Sequence, residues 1–105
     1  MDKVAIVFPI LNNLTPTVES CTMKVLEEVG ELMQLLGKGK RMSGETELTV
    51  EQVEEEIHMS MVMEAFDVAQ SAVTMADILC KKHGIDLGMM MMDHKEKLYE
   101  RGYLK

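Results

Sequence analysis

Between Val50 and His83 the chain runs without a single glycine or proline. Proline breaks a helix interior and glycine weakens it, so a breaker-free stretch of this length reads as one helix spanning the whole domain. From Met59 to Leu79 apolar side chains fall on nearly every side of that helix, the pattern of a central element surrounded by others.

The remaining segments arrange themselves around it. Thr15 and Pro16 suit a helix N-cap and first turn. Apolar residues then recur at Val18, Val25, Val29, Leu32 and Leu36, the spacing of one helix face. Gly37 and Gly39 are expected to end this helix, placing it over residues 15–36. Residues 37–48 read as a Gly-rich, basic loop. Thr49 is a candidate N-cap for the central helix, with Gln52 completing a capping box, and Gly84 is its stop. Asp86 opens a third helix over residues 86–101, with Gly102 as its stop. Residues 1–14 are apolar and interrupted by Pro9, consistent with a short helix or an extended arm. The expectation is a single all-α domain over residues 1–105, a bundle of long helices.

At 105 residues there is room for one core, and a chain of this size buries only about 60–70% of its unfolded surface. Helices that cannot all cover one another recruit a second copy. Aromatic residues are scarce and Trp is absent, so the core must come from Leu, Val, Ile, Ala and the 12 Met. Methionine fills irregular gaps in such cores. The net charge of −7 disfavours a nucleic-acid binder, which would normally be basic, and means that any anionic substrate needs a cation to mediate contact. Nothing approaches the roughly 20 apolar residues of a membrane span. Val4 to Phe8 lacks a small-residue cleavage site and does not read as a signal peptide. Cys21 and Cys80, each within a helical stretch, read as buried small hydrophobes rather than a disulfide framework. The expectation is a cytoplasmic protein with reduced thiols.

The chemistry-bearing residues are acidic. Glu28 and Glu31 stand three apart on the first helix and so project from one face, while Glu27 points elsewhere. Glu64 and Asp67 repeat that spacing on the central helix, among Met61, Val62, Met63, Phe66 and Val68. No Lys or Arg lies between Met42 and Leu79. A carboxylate in such surroundings is costly unless hydrated, paired or bound to metal. Two antiparallel helices, each offering two carboxylates, can converge on a hard cation such as Mg²⁺, with Mn²⁺ as a substitute. The competing reading is that Ser60, Glu64, Asp67, Ser71 and Thr74 form the solvated stripe of an amphipathic helix. On the third helix His94, Lys97 and Arg101 form a basic stripe. Cations near a helix C-terminus also simply favour its dipole.

Glu27-Glu28-Val29-Gly30-Glu31-Leu32 followed by Glu64-Ala65-Phe66-Asp67 resembles the MazG-like family of all-α nucleoside triphosphate pyrophosphohydrolases, which carries E-E-x-x-E on one helix and E-x-x-D on the next. Gly84 to Leu87 and Lys97 to Tyr103 are similar to its third helix, so the resemblance covers about residues 18–104. The gap from Glu31 to Glu64 is longer than is usual there, and His94 and Lys95 stand where Lys and Asn are common. The resemblance implies hydrolysis of a nucleoside triphosphate, ribo or deoxy, to the monophosphate and pyrophosphate, as in clearing a nucleotide pool. It implies Mg²⁺ held by Glu28, Glu31, Glu64 and Asp67, and Lys97 and Arg101, with His94, on the substrate phosphates. It implies a homodimer or homotetramer whose dimerisation completes a four-helix bundle core. Glu27 or Glu28 would accept the attacking water's proton. Two other readings compete: a relative acting on phosphoribosyl-ATP, and a non-enzymatic helical oligomer whose acidic stripe is solvated.

Overall fold

The computed structural model describes residues 3–42 and 50–105. Among them every regular element is an α-helix: α1 at Val18–Met42, α2 at Val50–His83 and α3 at Leu87–Glu100. Residues 3–17 precede them as an irregular arm with a turn at 12–14.

Local chemistry sets the helix ends. The first helix starts at Val18, three residues later than its sequence suggests, because Thr17 and not Thr15 caps it. The Thr17 hydroxyl accepts the Ser20 N–H at 3.0 Å, and the Ser20 hydroxyl accepts the Thr17 N–H at 2.8 Å. This reciprocal pair satisfies two otherwise orphan donors and is worth about 1 kcal/mol. At its other end α1 does not stop at Gly37 but continues through Gly39 to Met42. An interior glycine costs a helix only about 1 kcal/mol relative to alanine, too little to end one by itself. The expected loop therefore loses residues 37–42 to the helix. Its remainder, and the expected Thr49 cap, lie outside the described residues.

Helix α2 ends where Gly84 takes φ +64° and the Ile85 N–H reaches back to the Cys80 carbonyl at 2.8 Å. Helix α3 opens on Asp86, whose carboxylate accepts the Met89 N–H at 3.1 Å. It closes at Arg101 and Gly102, the latter at φ +77°, with the Tyr103 N–H on the Leu98 carbonyl. A left-handed residue is needed at both ends for the chain to turn back on its last carbonyls, and glycine takes that conformation without a Cβ clash.

Helices α1 and α2 form an antiparallel hairpin: Thr22 bonds Met75 at 3.3 Å, whereas Glu28, further along α1, meets Glu64 and Asp67, earlier in α2. The seam on α1 is Val18, Cys21, Val25, Glu28, Leu32 and Leu35, all buried or half-buried. That spacing of three and four matches knobs entering a facing helix. It is not the face that apolar residues alone select, since Val29 and Leu36 are exposed. The rotation turns Glu28 inward.

Few side chains are fully covered. Among the described residues the buried ones are Cys21, Cys80 and Glu28. Both cysteines are free thiols. Helix α2 is not surrounded within one chain: Met59, Val62, Phe66 and Val73 are exposed at spacings of three, four and seven, and Met23, Leu26 and Met33 line the outside of α1. Helix α3 buries nothing, meets α2 along a short stretch and does not touch α1. The radius of gyration is 17.5 Å, against about 13 Å for a compact domain of this length. The chain exposes 8676 Å², where a folded monomer of this mass exposes roughly 6,000 Å². No helix among the described residues is long and apolar enough to cross a membrane.

Candidate metal centre

The hairpin brings three of the four expected carboxylates together. Glu28, Glu64 and Asp67 each offer an oxygen, and these oxygens lie within 4.8 Å of one another. Of the polar stripe of α2, Glu64, Ser71 and Thr74 are half-buried, while Ser60 and Asp67 are exposed. Glu28 is 6% exposed, Glu64 is half-buried and Asp67 is exposed, so the cluster has a closed floor and an open side.

Glu31 lies outside this trio. Its carboxylate nonetheless acts on both partners, lowering Glu28 and raising Glu64. Glu27 is exposed and is not one of the trio. Its carboxylate approaches the Lys24 ammonium at 3.8 Å, and Lys24 is itself shared with Glu28 at 3.3 Å. Lys24 is a residue of the candidate site that reading for acids overlooks. Its signal was present in the sequence, because a cation four residues before Glu28 sits on the same helix face. The absence of Lys and Arg between Met42 and Leu79 therefore does not leave Glu28 without a cation.

The electrostatics follow from crowding. Glu64 is pushed up from its ordinary 4.5 to about 7, first by its hydrogen bond with Glu28, then by burial and by the charges of Glu31 and Glu28. Glu28 moves the other way. The hydrogen bond from Glu64 lowers it, burial opposes this, and Lys24 adds to the lowering. Glu28 in turn holds the Lys24 ammonium charged above the usual lysine value. The crowding thus favours the protonated form of Glu64 and the charged form of Glu28. The Glu64 Oε2 is buried and has no hydrogen-bond partner among the described residues. A buried oxygen of this kind calls for a proton or a cation.

Between about pH 4.5 and about 7 the folded chain keeps a proton on Glu64 that the unfolded chain releases. The stabilisation from Glu64 is thus complete below the unfolded value and is lost as pH rises through the folded one. We expect the melting temperature of metal-free protein to show a falling component from about pH 5 to about pH 8 that Glu64→Gln removes, read by circular dichroism. Glu28, being lowered, contributes the opposite slope in acid. A cation held there would displace the same proton, so any Mn²⁺ affinity should rise by up to about tenfold per pH unit below pH 7 and level off above it.

The cluster opens onto a cavity of about 710 Å³. Glu28, Lys24 and Asp67 line one part of it, and Leu11, Leu14 and Pro16 of the arm line another. The basic stripe of α3 is elsewhere: His94, Lys97 and Arg101 are exposed, line no part of this cavity and make no ion pair among the described residues. Arg101 serves as the C-cap of α3, its N–H on the Lys97 carbonyl.

Comparison with family models, characterised proteins and solved structures returned no match to this chain.

Proposed function

We propose that this chain is a Mg²⁺-dependent nucleoside triphosphate pyrophosphohydrolase of the MazG-like kind. The observation that carries the reading is the meeting of Glu28, Glu64 and Asp67 beside a cavity that Glu28 and Asp67 line, with the buried Glu64 Oε2 unsatisfied among the described residues. An all-oxygen, all-carboxylate donor set suits a hard divalent cation, Mg²⁺ or Mn²⁺, and offers no soft ligand for zinc or copper. Glu28, Glu64 and Asp67 would hold it, with Glu31 at the rim. When bound, the cation neutralises phosphate charge and acidifies a coordinated water.

The chain's own residues supply the rest. Glu31, which acts on both Glu28 and Glu64 but lies outside the trio, is the carboxylate best placed to take a proton from water. This reading takes Glu31 as the base in place of Glu27, whose carboxylate approaches Lys24, and of Glu28, which would hold the cation. Lys24 offsets the negative charge of Glu28 and offers an ammonium at the cavity wall. Lys97 and Arg101 would reach phosphates only in an assembly, contributed by another copy. A homodimer or homotetramer in which hairpins pair into a four-helix bundle would also cover the exposed seams of α1 and α2.

The test is release of pyrophosphate from a panel of ribo- and deoxynucleoside triphosphates, with phosphoribosyl-ATP included, with and without Mg²⁺. We expect metal-dependent turnover of at least one triphosphate. No turnover of any triphosphate removes the proposal, and turnover of phosphoribosyl-ATP alone moves it to that relative.

A further inference from the structure

The cavity beside the carboxylates is larger than a metal site needs, and its far wall is built by the arm. Residues 11–16 lie against α2 because the Gln70 Nε2 donates to the Pro9 carbonyl at 3.1 Å. The same nitrogen donates to the Thr74 hydroxyl at 3.1 Å. A carbonyl oxygen can only accept, so the contact with Pro9 fixes which end of the Gln70 amide is nitrogen. Both amide hydrogens are then committed, and Oε1 makes no hydrogen bond among the described residues. Gln70 thus lines the cavity as a group that can only accept.

The volume falls within the range of about 300–1,000 Å³ that small-molecule sites occupy. One end is charged and carries the candidate metal ligands. The other pairs apolar Leu11, Leu14 and Pro16 with Ser71 and Thr74. A ligand matching this gradient has an anionic, metal-bound end joined to a flat, mostly apolar body with N–H donors on its edge. We propose that the cavity under the arm takes the nucleoside part of the triphosphate and that Gln70 reads a base N–H, an exocyclic amine or a ring imide, through Oε1. This inference rests on the pyrophosphohydrolase reading and deepens it. The arm is then part of the binding site, and Gln70 has two duties: it tethers the arm and it contacts the base.

The experiment separates the subsite from the chemistry. Calorimetry with Mg²⁺ compares a non-hydrolysable α,β-imido nucleotide with inorganic tripolyphosphate, for the wild type, Gln70→Ala and Ser71→Leu, the last narrowing the cavity without touching the arm tether. We expect the wild type to bind the nucleotide more tightly than tripolyphosphate. Each variant should weaken nucleotide binding by about tenfold and leave tripolyphosphate binding unchanged. The subsite is overturned if the wild type binds the two ligands equally. It is also overturned if neither variant discriminates between them. Failure of the catalytic reading shows separately, as absence of pyrophosphate release by the wild type.

Discussion

Glu64→Gln is expected to lower metal-dependent pyrophosphate release by at least about 100-fold while leaving the hairpin folded. The side chain keeps its size and its place in the seam between α1 and α2, so packing is retained. What changes is charge. Glutamine imitates the protonated form of Glu64, which is the form that the neighbouring Glu28 and Glu31 favour without metal. At about pH 8, where native Glu64 has lost its proton, the variant should therefore be at least as stable as the wild type without metal. It should also fail to gain from Mg²⁺ or Mn²⁺. A ligand that binds only the folded state raises the melting temperature, by about 2.7 kcal/mol of stability at a hundredfold excess over Kd. Thermal melts of wild type and variant across a metal titration read this directly. A metal-induced rise that survives in Glu64→Gln, or in Glu28→Gln with Glu64→Gln, would return the acidic stripe to the status of a solvated face on a helical oligomer.

The second large effect concerns assembly. Wild-type protein is expected to sediment at twice or four times the monomer mass. Leu26→Glu combined with Val62→Glu should shift it to monomer, raising the dissociation constant by about 100-fold or more. Both residues lie on the outer sides of the hairpin and both are exposed in the isolated chain, Leu26 at 74%. Contiguous apolar rows of this kind on two helices mark an association surface. The surface exposed beyond that of a compact monomer is on the order of 2,500 Å² per chain, enough for a large interface. Neither substitution touches the carboxylate trio or the Gln70 tether. Loss of turnover in the monomeric variant, with Mn²⁺ binding kept, would locate the missing phosphate contacts on another copy, where Lys97 and Arg101 are candidates. A wild type that is monomeric and cooperatively folded at micromolar concentration would end the bundle proposal.

Different parts of the molecule were legible to different degrees. The all-helical class is written in residue types: long breaker-free stretches, few aromatics and abundant helix formers. The acidic pairs were readable as candidates because a spacing of three places two side chains on one helix face whatever the tertiary context. The extent of the first helix was less legible, since Gly37 and Gly39 weaken a helix without ending it. The inward face of α1 was read only in part. Counting apolar residues selects Val18, Val25 and Leu32, which lie on the seam, but also Val29 and Leu36, which are exposed, and it passes over Cys21 and Glu28, which the hairpin buries. A polar partner on α2, Glu64, draws a polar residue into the seam, and no hydrophobicity pattern on α1 alone contains that information.

By itself, then, the sequence determined what each segment would be: helices, their glycine-ended turns at Gly84 and Gly102, and two acid pairs with the right local spacing. These depend on neighbours within a few positions along the chain. Only the tertiary structure decided which groups meet. The rotation of α1, the antiparallel register that sets Glu28 against Glu64 and Asp67 with Glu31 at the rim, the docking of the arm on Gln70 and the separation of α3 from the acids all arise from contacts between residues far apart in the chain. Such contacts depend on how two surfaces fit, which is a property of neither surface alone.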